Sequence, residues 1–197
     1  MNVLKELFQS AVLCMCLSFP AAAEVGKVYM SEDPNILIFT APIEEHSLFA
    51  MTTLYKKYHY TQINITSPGG DYDVGMQVAK FIYENKIKVF VPKYCASACT
   101  FAFFSASTED RDLAPDAKLG LHNISFSTSA VNPSKTYISV DETMKFAQEV
   151  SRRTGVMMAL YSANGIPPDV LYEVAGKYGN TIVNVSRSDL VAWGTLQ

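Results

Sequence analysis

One stretch of the sequence, residues 89–123, limits the fold and the chemistry of this chain more than any other. It starts with an apolar strand-like segment, passes through a Cys-x-Ser-x-Cys turn centred on Ser97, continues as an apolar run and ends in a Gly-Leu-His-Asn segment that contains His122. A serine at a strand-to-helix turn lies where backbone N–H groups converge and where the helix dipole favours negative charge. Such a place suits a nucleophile that carries an acyl oxyanion, and His122 is a candidate base for it.

A second motif, Ser-Pro-Gly-Gly at residues 67–70, follows an alternating strand at residues 61–66. Glycine lets a backbone approach a ligand closely and direct its N–H groups at it. We therefore predict that Gly69 and Gly70 belong to a binding loop, with Gly70 in contact with substrate.

The first 23 of the 197 residues have the pattern of a signal peptide. Lys5 gives a weakly basic start, and the apolar run at residues 7–19 has 13 residues, fewer than the ~20 that a membrane-spanning helix needs. An Ala-Ala-Ala cleavage site follows at residues 21–23. The prediction is a secreted or periplasmic protein whose residues 24–197 form one domain, with no membrane span after cleavage.

The charge pattern argues against nucleic-acid binding. The formal net charge is −3, and the basic pairs at residues 56–57 and 152–153 have the spacing of ordinary helix-face charges. Without a basic patch, the chain lacks the electrostatic footprint of a nucleic-acid-binding protein.

Signal cleavage leaves two cysteines, Cys95 and Cys99, one on each side of Ser97. In an oxidising compartment they are most simply a disulfide, since their Cα atoms would be about 6 Å apart across one helical turn. Such a bond would pin the turn that carries Ser97. Two alternatives stay open: a reactive cysteine, which needs a reduced thiol, and a metal site, for which the three histidines show no ligand spacing. We expect no metal and no cofactor.

Strands and helices alternate along the chain, which predicts an α/β fold with parallel strands and right-handed crossovers. The polar segment 124–139 is predicted to be a loop beside the site, acting as a lid or an oligomer contact. Residues 92–96 and 109–112 are predicted to be turns. The predicted strands are residues 25–30, 35–40, 61–66, 88–91, 118–122 and 181–185, and the predicted helices are residues 44–58, 71–85, 97–105, 140–162, 169–178 and 186–193.

Taken together, these motifs resemble the proteolytic subunit of Clp protease (ClpP) and its ClpP/crotonase-fold relatives. The likeness extends from about Asn35 to the C-terminus and is greatest for small secreted ClpP-like proteins with a Cys-x-Ser-x-Cys turn. It implies a fold of repeated strand-strand-helix turns with a mostly parallel sheet. The segments that carry the resemblance are, in order, residues 38–43, 65–70, 95–98, 120–123 and 186–194.

The resemblance implies an activity and a set of site residues. Ser97 would be the nucleophile, His122 its general base, and the N–H groups of Gly69 and Ala98 the oxyanion hole. It also implies a peptide or protein substrate and a homo-oligomer.

The sequence departs from the family at the third catalytic position. The family's aspartate should fall near Tyr178, where the sequence has no acid. Asn180 could orient the imidazole instead, Asp169 or Glu173 could reach it from the preceding helix, or a Ser–His dyad could act alone.

Other interpretations compete with this one. Lys93 or Lys118 could form a serine–lysine dyad, as in signal peptide peptidases of the same fold. Ser97 could be an ordinary helix cap and His122 a core histidine. The sequence therefore predicts a secreted serine hydrolase, most simply a peptidase. The alternative is a non-catalytic ClpP-like binding or assembly module that recruits a partner, which the missing aspartate favours.

Overall fold

The computed structural model describes residues 26–124, 139–177 and 181–197. The predicted signal peptide, the interior of the predicted 124–139 loop and Asn180 lie outside these ranges. The strands are β1 (Lys27–Met30), β2 (Ile36–Thr40), β3 (Gln62–Ile65), β4 (Lys88–Val91), β5 (Tyr94–Ala96), β6 (Arg111–Leu113), β7 (Lys118–Leu121) and β8 (Val183–Ser186). The helices are α1 (Glu45–Tyr58), α2 (Tyr72–Asn85), α3 (Cys99–Ser105), α4 (Val140–Ala163), α5 (Pro168–Gly176) and α6 (Arg187–Ala192).

The larger sheet has five strands in the order β1-β2-β3-β4-β6. The last four strands in this order run parallel to one another, whereas β1 is antiparallel to β2. The period of two along β2 and β3 buries Leu37, Phe39, Ile63 and Ile65 almost completely. The chain thus has a mixed α/β fold, and the antiparallel edge is a feature that the prediction of a mostly parallel sheet did not include.

The smaller sheet contains β5, β7 and β8. β5 is parallel to β7, and β8 is antiparallel to β7, so this sheet is also mixed. An isolated bridge joins it to the end of β3: the Ser67 N–H donates to the Tyr94 carbonyl (3.1 Å), and the Ala96 N–H donates to the Ser67 carbonyl (3.0 Å). The Ser-Pro-Gly-Gly segment is therefore held directly beside β5.

Two short strands form where turns were predicted. β5 lies within the predicted turn 92–96, and β6 lies within and just beyond the predicted turn 109–112. Each has three residues, and each pairs with a strand that is distant in the chain. A segment this short carries little local strand signal, so its partner decides the conformation.

Helix α3 is the buried helix that the sequence predicted. The six residues from Cys99 to Phe104 are all buried. Helix α2 packs closely on it because Gly75 faces Ala98: a Cβ at Gly75 would lie 2.9 Å from the Ala98 Cβ. The Thr100 hydroxyl shares a 2.8 Å hydrogen bond with the Tyr161 hydroxyl, which joins α3 to α4. Burial raises the pKa of Tyr161, so this hydroxyl remains protonated.

Helix α4 contacts α2 through a charged network near its middle. Arg153 bonds Glu149 on its own helix (2.5 Å) and Asp73 at the start of α2 (2.9 Å). Hydrogen bonds from Arg152 and Arg153 lower the pKa of Glu149 to about 2. Arg153 is thus more than the ordinary helix-face charge that the sequence predicted. Within the described ranges no helix is both long and apolar enough to cross a membrane.

A buried arginine joins the end of the chain to the core. Arg111 is 5% exposed, and its guanidinium donates to the Thr195 carbonyl from Nε (3.2 Å) and from a terminal nitrogen (2.9 Å). It also donates to the Asn164 side chain. Burial lowers the pKa of Arg111 to about 10, which leaves it a cation at neutral pH. No carboxylate in the described part of the chain bonds it. Carbonyl and amide oxygens compensate the charge, together with the rings of Phe103 and Phe104, whose centroids lie 5.5 Å and 5.4 Å from the guanidinium carbon.

We expect Arg111→Met to lower the free energy of unfolding by about 2–4 kcal/mol, because buried acceptors lose their donors. Urea unfolding followed by circular dichroism would measure this. Arg152→Met is the matched control, since Arg152 is an exposed arginine paired with Glu149, and it should change stability little. Equal losses in both variants would contradict the conclusion that the buried hydrogen bonds of Arg111 stabilise the fold.

Candidate functional site

Ser97 lies in a sharp turn between β5 and α3. Its φ is +55°, a left-handed conformation that costs a non-glycine residue about 1–2 kcal/mol. The turn is held on both sides: the Ser97 N–H donates to the Gly120 carbonyl (2.9 Å), and the Ser97 carbonyl accepts from the Thr100 hydroxyl (2.6 Å). A conformation that is strained yet so well determined is typical of functional positions.

The helix after Ser97 begins later than the sequence predicted. α3 starts at Cys99, its N-cap position is Ala98, and no side-chain hydrogen bond caps it. The interpretation of Ser97 as an ordinary helix cap is therefore wrong. The two-residue delay arises because the left-handed turn at Ser97 must end before helical geometry begins.

A disulfide joins Cys95 and Cys99, whose Cα atoms are 5.3 Å apart. Both cysteines are completely buried. The bond closes a loop around Ser97, as predicted, and it leaves neither thiol free for the alternative of a cysteine nucleophile. Among the described residues there is also no group of three side chains that could hold a metal ion.

Gly69 packs against the Ser97 turn at a distance that only glycine permits. Its φ is +93°, and a Cβ there would lie 2.5 Å from the Ala96 carbonyl oxygen, 2.5 Å from the Ser97 Cβ and 2.9 Å from the Ala98 nitrogen. The two residues predicted to supply oxyanion donors therefore lie side by side, next to Ser97.

The two predicted oxyanion donors differ in their present partners. The Gly69 N–H donates to the Ser67 hydroxyl at 3.2 Å, whereas the Ala98 N–H has no hydrogen-bond acceptor within the described residues. Ser67 is completely buried and was not singled out from the sequence. The sequence did contain a signal for this contact, because a serine hydroxyl commonly accepts a hydrogen bond from the backbone N–H two residues further along the chain.

Gly70 is the third residue predicted to line the site. The segment around it forms a parallel bridge with Ile43: the Ile43 N–H donates to the Gly69 carbonyl (2.8 Å), and the Asp71 N–H donates to the Ile43 carbonyl (2.9 Å). Because successive peptide groups of an extended chain point to opposite sides, the Gly70 N–H and C=O point away from Ile43.

His122 follows the last residue of β7. Ala96 is opposite Gly120 in the parallel pairing of β5 with β7. Ser97 and His122 therefore follow the same end of two neighbouring strands, and such strands are about 4.8 Å apart. The His122 Nδ1 forms a hydrogen bond with the Asn123 carbonyl. Neither residue's side chain is hydrogen-bonded to the other's in the described structure, and the pairing register alone juxtaposes them.

The two candidate lysines lie at the wrong end of these strands. The Lys118 N–H donates to the Lys93 carbonyl (3.1 Å), and Lys118 is opposite Tyr94 at the start of β5. Three residues of strand, about 10 Å, separate this position from Ser97 along β5. The register therefore favours histidine over lysine as the partner of Ser97.

Among the described residues, none of the acids predicted as a possible third member contacts His122. Asp169 is exposed, and Glu173 pairs with Lys177 at 3.3 Å. Neither bonds His122, and Asn180 lies outside the described residues. Within those residues, the group on the Nδ1 of His122 is a backbone carbonyl.

An apolar groove of about 900 Å³ lies elsewhere, at the opposite end of α3. It runs between the second half of α2 and the residues that end α3, with Ile82, Ile87 and Phe104 among its lining. It does not reach the Ser97 turn, so it adds nothing to the candidate site.

Comparisons with known proteins identify the fold. The chain is similar to the solved structure of a mutant of ClpP1 from Listeria monocytogenes, with a TM-score of 0.63 and 17% sequence identity over 83% of this chain and 90% of that chain. No family model and no curated protein matches the sequence. The chain thus has a ClpP-like fold, which the sequence predicted. At this identity the similarity establishes the fold alone.

We expect Gly69→Ala to destabilise the site, because its Cβ would collide with backbone and its φ suits only glycine. A loss of at least about 1–3 kcal/mol in the free energy of unfolding should appear in urea denaturation. Gly155→Ala is the control: Gly155 lies inside α4 with no atom within 4 Å of an added Cβ. That variant should be neutral or more stable by about 0.5–1 kcal/mol, and a neutral Gly69→Ala would show that the close packing is wrong.

We expect the double variant Cys95→Ala/Cys99→Ala to lose about 2 kcal/mol of stability, the loop-closure value for so short a loop. Oxidised and reduced wild type, compared by urea unfolding, should differ by a similar amount. The reductant should leave the double variant unchanged. An effect of reductant on that variant would mean that another group responds.

Proposed function

We propose that this protein is a serine hydrolase, and specifically a peptidase, in which Ser97 is the nucleophile and His122 the general base. The observation that carries the proposal is the left-handed Ser97 turn, held between Gly69, the Cys95–Cys99 disulfide and the end of β7. Backbone strain costs stability and is usually retained at functional sites. Packing alone therefore does not explain a strained serine between two glycine-containing segments.

The mechanism follows from the arrangement of these groups. A carbonyl oxygen can only accept, so the bond from the His122 Nδ1 to the Asn123 carbonyl requires a hydrogen on Nδ1 and leaves the lone pair on Nε2. Nε2 would take the Ser97 hydroxyl proton as Oγ attacks the substrate carbonyl carbon. The resulting oxyanion would accept hydrogen bonds from the Gly69 and Ala98 N–H groups, and each such donor typically contributes ~10²–10³ in rate.

The second half of the reaction uses the same residues. The tetrahedral intermediate collapses, the C–N bond of the peptide breaks, and His122 returns its proton to the leaving amine. Water then attacks the acyl ester on Ser97 with His122 again as base, which releases the acid and restores the serine. The Gly69 N–H must leave the Ser67 hydroxyl for the oxyanion, a small cost because that bond is long at 3.2 Å.

A peptide suits this site because the backbone N–H and C=O of Gly70 are available to form hydrogen bonds with it. Its N–H and C=O, which point away from Ile43, would pair with an extended substrate chain as an added strand does. The predicted signal peptide and the disulfide support a periplasmic or secreted location, and the ClpP-like fold supports a homo-oligomer. Outside the cytosol no ATP-driven unfolding is expected, so short or unfolded peptides are the substrates we propose.

One observation favours a second candidate function. No carboxylate contacts His122 in the described residues, and a histidine without an acid is weaker as a base. A non-catalytic module that recruits a partner through the same fold would not need one. The two candidates differ in whether Ser97 reacts as a nucleophile.

The test is covalent labelling of the purified full chain with a fluorophosphonate, read by intact mass, which also records whether residues 1–23 have been removed. Wild type should acquire one adduct, mapped to Ser97, and Ser97→Ala none. His122→Ala should label more slowly by about 10²–10⁴, the contribution of a general base. Ser105→Ala and His59→Ala are the matched controls, since both residues lie away from the Ser97 turn, and both should label like wild type.

Two outcomes would contradict the hydrolase. Absence of any adduct, with and without reductant, would favour the recruiting module. An adduct that persists in Ser97→Ala would place the nucleophile elsewhere.

A further inference from the structure

Just beyond β7, the Asn123 side chain links the strand end to neighbouring segments. The Asn123 Oδ1 accepts from the Ile124 N–H (2.8 Å), and its Nδ2 donates to the Ala175 carbonyl in α5 (3.2 Å). A longer contact, 3.4 Å, joins the Thr154 hydroxyl of α4 to the same Oδ1. One side chain therefore connects the strand end to two helices that lie far away in the sequence.

The backbone of this asparagine is in direct contact with the His122 ring. The peptide oxygen that bonds the His122 Nδ1 is the Asn123 carbonyl, so the side-chain contacts of the same residue restrain the backbone that directs this oxygen. A change in the φ or ψ of Asn123 would swing the carbonyl away from the ring. The imidazole would then lose the acceptor that keeps its hydrogen on Nδ1.

We propose that Asn123 is a positioning residue that takes over part of the task of the missing aspartate. Its side chain anchors the strand end to α5 and α4, and its main-chain oxygen selects the tautomer of His122 in which Nε2 is the base. A carbonyl is a partial charge and not a full one, so it orients the ring but stabilises the imidazolium less than a carboxylate does. The consequence is a weaker hydrolase with its histidine in the right form.

This inference rests on the proposed function for its catalytic meaning, but its first test does not need activity. In full-length protein labelled with ¹⁵N at histidine, two-bond proton–nitrogen correlation distinguishes the Nδ1–H from the Nε2–H tautomer. Wild-type His122, assigned by its absence in His122→Ala, should be in the Nδ1–H form. In Asn123→Ala the two tautomers should mix, even if Ser97 never reacts.

The second measurement is the rate of fluorophosphonate labelling at Ser97. Asn123→Ala should lower it about three- to tenfold, the factor that one side-chain hydrogen bond typically supplies. Asn123→Asp keeps the acceptor for Ile124 but replaces the donor to Ala175 with a charged oxygen that repels that carbonyl, so it should recover at most part of the rate. Thr154→Val removes only the long 3.4 Å contact and serves as the control, with a rate near that of wild type.

Circular dichroism and urea unfolding separate positioning from folding. A variant that keeps its native spectrum at the labelling temperature but mixes the tautomers supports the inference. Wild-type tautomer and rate in Asn123→Ala would overturn it. So would a loss of the Nδ1–H form in Asn180→Ala but not in Asn123→Ala, because the orienting group would then be Asn180. Failure of wild type to label at all would overturn the proposed function and leave the tautomer result standing.

Discussion

The parallel pairing of β5 with β7 is the interaction on which the rest of this site depends. Ala96 lies opposite Gly120, and the Ser97 N–H extends the ladder by one more bond to the Gly120 carbonyl before the chain turns. Gly120 makes this approach possible, since a Cβ there would lie 2.8 Å from the Ala96 Cβ. A shift of the register by one residue would turn the neighbouring side chains to the other face and change how Ser97 and His122 are placed relative to each other.

The Ser97 turn persists because several contacts offset its backbone strain. The disulfide limits the conformations open to the segment, the Gly120 carbonyl holds its N–H, and α3 buries the residues that follow. Each contributes on the order of 1 kcal/mol or more, which is enough together to hold a left-handed residue that costs about 1–2 kcal/mol. Gly69 adds a steric wall, so that the turn has little room to relax.

Helix α4 packs against the segments that form the candidate site, although none of its own residues is proposed to react. Along one face it contacts α3 through Tyr161, the start of α2 through Arg153, and the end of β7 through Thr154. Through these three contacts α4 helps to position the helix after Ser97, the residues after Gly70 and the residues after His122. A single rigid helix thus holds together segments that are far apart in the chain.

The sequence by itself determined the elements with strong local signals: the longer helices and strands, the disulfide around Ser97 and the two glycines after β3. It also determined the ClpP-like fold, because its motifs occur in the right order. Only the tertiary structure decided that the residues 94–96 and 111–113 form strands, that Ser97 precedes α3 in a left-handed turn, and that the Asn123 carbonyl faces His122. The physical reason is that each of these depends on a partner that is distant in the chain or on a backbone angle, and neither is visible in residue type or spacing.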